Sequence, residues 1–451
     1  QLPLLPQIIL LRTRMSMQLT MTLGRSMIPL RLFTNRSIGL FARSNSKTQP
    51  RFRSSAVING HSSAVGAPTV HVHDETQSSS FPKATTATIT DNGKDKSASS
   101  ADTIQGEVLD LAADLRTFRA GDKLEIPYEL TVSESMQDFW HSAFHAQDRI
   151  HTSRPFCRKM GLQDRVLPFS LALFLCSSMT HEDAARIHVG YGPVKYTWPC
   201  FAGDTFTKTF TVESIRNTSD GNHSLIQFQC DLINQRGRLC MRADKRMLFE
   251  FSVPEPLSSS SSTSKRPKLE PTADPPKGNL FRDHLLSKSH VLSGLQSHSL
   301  AELRKGQLIL HSLKRSLTFT QCQQLASLAR LTHEKHFDSR KYDTTELLVP
   351  GGLVLGITMN ASARDFHEGL HEEILNVNYV NALHPGNMVG AISYIQNVED
   401  VGGGAGDLQM ITVRTLGIKN LDVVKDLERV DLPLELFELG GATRRGGGGG
   451  G

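Results

Sequence analysis

The sequence predicts an α+β protein made of two copies of one domain, each an antiparallel sheet wrapped round a single buried helix. Three observations carry this. The segment LTVSESMQDFWHSAFHAQDRIHTS (Leu130 to Ser153) is echoed by LTFTQCQQLASLARLTHEKHFDS (Leu317 to Ser339), so His151 and His336 stand in matching surroundings. Each is followed by a helix-length stretch that is apolar on every side, LPFSLALFLCSSM and VPGGLVLGITMNAS. Each copy then runs into segments that alternate with the two-residue period of strands. A repeat of this length points to duplication of a small domain, and sites in such proteins commonly form between the copies.

In chain order, residues 1–73 contain eight Arg, one Lys and no Asp or Glu; the first acid is Asp74. An acid-free stretch rich in Arg, Ser and Thr has the composition of an organelle transit peptide, read by import machinery as a basic amphipathic helix. The expectation is the mitochondrial matrix, with the plastid as alternative; a basic tail is the competing reading. This stretch carries +9 against a whole-chain net charge of +5, so the rest, at −4, is near neutral and has no electrostatic footprint for nucleic acid. No run approaches the ~20 apolar residues of a membrane-spanning helix. Residues 74–105 are polar and read as a disordered spacer. The first copy takes 106–253, a Ser/Pro-rich linker 254–302, the second copy 303–438 and a Gly-rich tail 439–451. The tetrad Lys265 to Lys268 reads as solvated linker charge rather than a nuclear address. The six Cys lack CxxC spacing and read as reduced, buried thiols.

Both copies open on a candidate capping box, Thr131-x-x-Glu134 and Thr318-x-x-Gln321, in which side chains satisfy free amides at a helix start. Behind the first, Met136, Phe139, Trp140, Ala143 and Phe144 recur at helical spacing and form a core face. A loop holding His151 or His336 follows, then a helix over 168–179 or 351–361, which must be buried on every side. Strands are expected over 187–199, 205–215, 224–237 and 238–251 in the first copy, and over 373–383, 387–398 and 408–418 in the second. Their β-branched and aromatic content, with turns at 203–204, 234–235 and 402–404, suits an antiparallel sheet. Two such sheets side by side form one continuous surface.

This arrangement resembles the hotdog fold, and within it the MaoC-like dehydratases and (R)-specific enoyl-CoA hydratases, often built as a fused double hotdog. The His loop, the apolar helix and the turn PCFAGDT (Pro199 to Thr205) carry the resemblance, with His384-Pro385-Gly386-Asn387 as that turn's counterpart. The resemblance implies interconversion of trans-2-enoyl and 3-hydroxyacyl thioesters, of CoA or acyl carrier protein, by adding or removing water, with no metal or redox cofactor. It also implies an Asp and a His that hold and activate the water, and backbone amides at the start of the central helix that stabilise the thioester oxyanion.

In the first copy the family's Asp falls on Ala146 and its Asn on Asp148, with His151 on the His; in the second these places hold Leu331, His333 and His336. Both copies keep the histidine and neither keeps the full dyad. Catalysis is therefore expected from Asp148 and His151, with a loop carboxylate and a buried histidine as the competing reading. The second copy is expected to shape the acyl pocket, through His336 and through Gly351 and Gly352, where a backbone amide can approach a thioester carbonyl. A basic rim of Arg149 and Arg154, with Arg158 and Lys159, is expected to meet CoA or carrier-protein phosphates; a solvated loop is its rival. Two other classes stay open. A catalytically inactive acyl-thioester-binding or assembly subunit is favoured by the missing Asp, and a thioesterase of the same fold is disfavoured by the dehydratase-like turn. A homo-oligomer of double-hotdog chains is also left open.

A literal HExxH runs from His367 to His371. On a long helix it would set two imidazoles on one face for zinc, but Gly369 and the β-type residues after His371 put it in a loop entering a strand, so no metal is expected. Gly402 to Gly406 lacks the Lys-Ser/Thr of a phosphate loop and reads as a hairpin turn.

Overall fold

A computed structural model describes residues 19–23, 26–30, 35–42, 114–126, 128–145, 147–179, 185–253, 278–292, 303–366, 368–401 and 408–437. The hairpin β1 (Leu19–Leu23) and β2 (Ser26–Leu30) comes first, then β3 (Asn35–Ala42). The first copy supplies β4 (Lys123–Glu125), β5 (Leu130–Thr131), α1 (Glu134–Phe144), α2 (Arg149–Thr152), α3 (Arg154–Lys159) and α4 (Phe169–Ser177). Its long strands are β6 (Ala185–Tyr196), β7 (Thr205–Asn217), β8 (Ser224–Asn234) and β9 (Leu239–Phe249). Between the copies lie α5 (Leu280–Ser287) and α6 (Ser289–Leu292). The second copy follows with β10 (Leu308–Leu310), α7 (Phe319–Leu328), α8 (Gly351–Ala363), β11 (Gly369–Asn378), β12 (Val389–Asp400), β13 (Leu408–Lys419) and α9 (Val423–Leu427).

Among the described residues one sheet has eleven strands, in the order β10-β12-β13-β3-β11-β6-β9-β8-β7-β4, with β5 beside β7. Its pairs are antiparallel. The copies meet edge to edge where β6 pairs β11, with Val194 opposite Ile374 and Gly190 opposite Asn378. Each half therefore repeats one strand order, and each wraps one apolar helix: all of α4 is buried, and so is most of α8. The seven long strands and both central helices lie close to where alternation and apolarity place them. All six cysteines are free and buried.

Three sequence readings change. The α1 cap is Ser133, not Thr131: Ser133 takes the extended conformation and accepts from the Met136 amide. Thr131 lies in β5 instead, its hydroxyl 2.7 Å from that of Thr205. The Thr318 box forms as expected, with both reciprocal bonds. Within the stretch read as linker, α5 is capped by Asn279 and buries Phe281 and Leu285; its signal was Asn279 followed by apolar residues four apart.

The third change concerns the stretch read as a leader. In the first copy β9 fills the place between β8 and β6, but after β13 the second copy turns into α9 and, among the described residues, has no such strand of its own. β3 takes that place, pairing β13 (Ile38 opposite Thr412) and β11 (Ile38 opposite Glu373). Unpaired backbone between two strands is costly, which is the physical reason that residues 35–42 belong to the sheet. Ala146, His367 and Gly402 to Gly406 lie outside the described residues.

Candidate active site

Each histidine loop ends two residues before the proline that caps its central helix, and this fixes the imidazole. His151 donates Nδ1–H to the Val166 carbonyl at 2.9 Å, ahead of Pro168; His336 donates Nδ1–H to the Leu348 carbonyl at 2.9 Å, ahead of Pro350. In both, Nε2 is left as the basic nitrogen. Burial lowers both imidazoles below the usual value, His336 to about 4. Both are therefore neutral at physiological pH and able to accept a proton.

The surroundings differ. His336 lines a cleft between the copies. Its walls come from β6 and β9 of the first copy (His188, Tyr191, Lys245) and from the start of α8 with Tyr379 of the second. Gly351 and Gly352 occupy the first two positions of α8, whose free amides face no intrahelical acceptor. A Cβ on Gly351 would come within 2.6 Å of His188 Nδ1, and one on Gly352 within 2.4 Å of the Phe174 ring; glycine is required there by close packing. His188 is half-buried and neutral, held well below the usual value by desolvation and by Lys245, and its buried Nε2 has no hydrogen-bond partner. His333 is saturated: Nε2–H donates to Ala185 O at 2.7 Å, and Nδ1 accepts from the Lys335 amide. It ties the loop to β6.

Asp148 and His151 line a smaller pocket of about 270 Å³, brought together with Phe169, Tyr196, His371 and Glu372. Asp148 accepts from the Gly369 amide at 2.7 Å, the amide-capping role expected of a loop carboxylate. Glu372 is a site residue that the sequence reading missed. It arrives from β11 of the other copy, and burial, then Asp148, push its carboxyl up to about 8. Only the β6–β11 pairing reveals it, since 221 residues separate Asp148 from the Gly369 it touches.

Two residues of the expected basic rim, Arg149 and Arg154, are engaged by carboxylates of the chain. Arg149 forms a bidentate pair with Glu368, which is 1% exposed, and Arg154 pairs with Glu134 and Asp164. Both guanidiniums stitch loops together through carboxylates of the chain. Of the HExxH residues that the structure describes, Glu368 holds Arg149 just ahead of β11, and His371 lies in β11 with its Nε2 3.0 Å from the Asn279 amide nitrogen. Among the described residues no metal-binding cluster is present, and no helix is long and apolar enough to cross a membrane.

No protein-family model matches the chain. Over 307 residues it is 22% identical to mesaconyl-CoA hydratase of Cereibacter sphaeroides, an alignment covering 66% of this chain and 88% of that protein. A putative MaoC domain protein dehydratase from Chloroflexus aurantiacus superposes with a TM-score of 0.51 at 14% identity, covering 70% of this chain and 100% of the other. A double-hotdog protein from Mycobacterium tuberculosis gives 0.49 at 14% identity, covering 68% and 98%. With the two halves of the sheet each wrapped on an apolar helix, joined edge to edge and each carrying a histidine fixed at the start of that helix, the chain has the fused double-hotdog fold and is similar to the MaoC domain protein on which it superposes.

Proposed function

We propose that the chain is an acyl-thioester hydratase/dehydratase that interconverts trans-2-enoyl and 3-hydroxyacyl thioesters, and that the reaction runs at His336. The observation that carries this is a neutral imidazole whose Nδ1–H is held by the Leu348 carbonyl, leaving the basic Nε2 in a cleft between the copies. In hydration, Nε2 takes a proton from water as the water oxygen bonds C3. The C2–C3 electron pair moves toward the thioester carbonyl, and the proton returns to C2. The amides of Gly351 and Gly352 meet the oxyanion that develops. Among the described residues Arg186, Lys245 and Lys335 line the cleft and no carboxylate does, which suits an anionic carrier such as CoA. The named activity of the Cereibacter sphaeroides relative also supports a CoA thioester.

The test is loss of enoyl absorbance on a panel of trans-2-enoyl-CoAs. His336→Ala should lower turnover by ~10²–10⁴-fold, the range for general acid–base groups. A second reading places the base at His151, favoured by the two carboxyl groups in its pocket; loss in His151→Ala with His336→Ala unimpaired would establish it. The acid-free, Arg-rich N-terminal stretch supports import into the mitochondrial matrix, with the plastid second. Given β3, a cleaved leader would end before Asn35, which N-terminal sequencing of the organelle protein would test.

A further inference from the structure

The two histidine pockets are built alike, yet one is open and the other shut. His188 and Tyr196 on β6 recur at one constant spacing as His371 and Tyr379, from the start of β11 to just past its end. At the open cleft the His188 and Tyr379 rings lie 4.8 Å apart and face the space. At the small pocket the corresponding rings are His371 and Tyr196, and the Phe281 ring sits against both, at 5.2 Å and 5.3 Å. Phe281 is 2% exposed and belongs to α5, between the copies. Its other side lines an outer apolar pocket of about 640 Å³ with Trp198, Phe201 and Leu280. Phe281 is thus the partition between an outer pocket and an inner one.

The inner pocket is not ordinary core. It gathers His151, Asp148, Glu372 and His371 under an aromatic cover. His371 Nε2 lies 3.0 Å from the Asn279 amide nitrogen and 3.4 Å from Glu373 Oε1, and its buried Nδ1 has no hydrogen-bond partner. Its counterpart His188 likewise has a buried Nε2 without a partner. Buried polar groups left unpaired are rare and ask for an explanation, and a ligand at each pseudo-equivalent position supplies one. The cover is held by polar contacts. Asn279 donates to Glu373 at 2.8 Å, the Phe281 amide to Thr197 O at 3.0 Å, and His284 Nε2–H to Met160 O at 2.9 Å.

We propose that the His151 pocket is a latent second acyl-thioester site, and that Phe281 plugs it by taking the place an acyl group takes beside His188 and Tyr379. The inference rests on the hydratase reading of the open cleft. Glu372, protonated near neutral pH, would serve the unplugged site as a proton donor beside the basic Nε2 of His151.

The test uses the full chain and crotonyl-CoA. Calorimetric stoichiometry, measured with saturated butyryl-CoA to avoid turnover, should rise from one site per chain to two in Phe281→Ala, or in the gentler Phe281→Leu should the first fail to melt cooperatively. In a His336→Ala background, Phe281→Ala should restore crotonyl-CoA hydration, and adding His151→Ala should abolish it. A folded Phe281 variant that still binds one equivalent, with no restored hydration, overturns the plug. Persistent turnover in His336→Ala alone would instead count against His336 as the base, and the stoichiometry would still decide the plug by itself.

Discussion

Removing the Arg149 guanidinium would leave Glu368 as a buried, uncompensated carboxylate. Arg149→Ala is therefore expected to lower stability by ~3–5 kcal/mol, the range for breaking a buried pair from one side. A denaturant midpoint unchanged from wild type would refute this. His336 gives a second residue-level expectation. Its folded value, about 4, lies below the ordinary 6.5, so between those values the unfolded chain binds a proton that the folded one refuses. Stability is full above about pH 6.5 and declines as pH falls toward 4. Wild type should accordingly lose more stability over that window than His336→Gln, and parallel curves would sink the argument. At this scale the repeated surroundings flag the two histidines, while Asp148, whose counterpart is His333, stands out only by its spacing from His151 and the resemblance. The sequence could not disclose Glu372, His188 or the partner of Arg149, since each meets its site only through the β6–β11 edge.

The long strands and central helices were legible because apolarity and alternation respond to burial, and burial is what these elements share. Short elements were not: β4, β5 and β10 span two or three residues each, too few for any period to show. Nor was α5 apparent, since its Ser/Pro-rich flanks dominate the composition. The start of α8 carries an element-level prediction. A Cβ at Gly352 would meet the Phe174 ring at 2.4 Å, and Phe174 is also a cleft wall. Gly352→Ala should cost about 1–3 kcal/mol, as overpacking does, and should raise KM for enoyl-CoA by moving that wall. A variant with wild-type melting and KM would show that the ring yields freely.

For the whole molecule, the fused pair was readable from the repeat, but the source of its last strand was not. Charge composition marked residues 1–73 as a leader, and composition is blind to a gap in a sheet assembled elsewhere. Deleting residues 1–42 should expose the facing edges of β13 and β11. The expected result is a lower melting temperature and a tendency to aggregate, relative to a chain that keeps 35–42. Equal melting of the two would show that the second copy closes without β3.

That strand also sets an order of events during synthesis. β3 leaves the ribosome before either copy exists, while its neighbours, β11 and β13, are among the last parts made. The first copy can finish its own sheet as it emerges, whereas the second must wait for a segment that has been idle throughout. Such a long-range closure is slow, and until it happens a bare strand is open to mispairing, so a holding chaperone would have its best foothold on this chain in that interval.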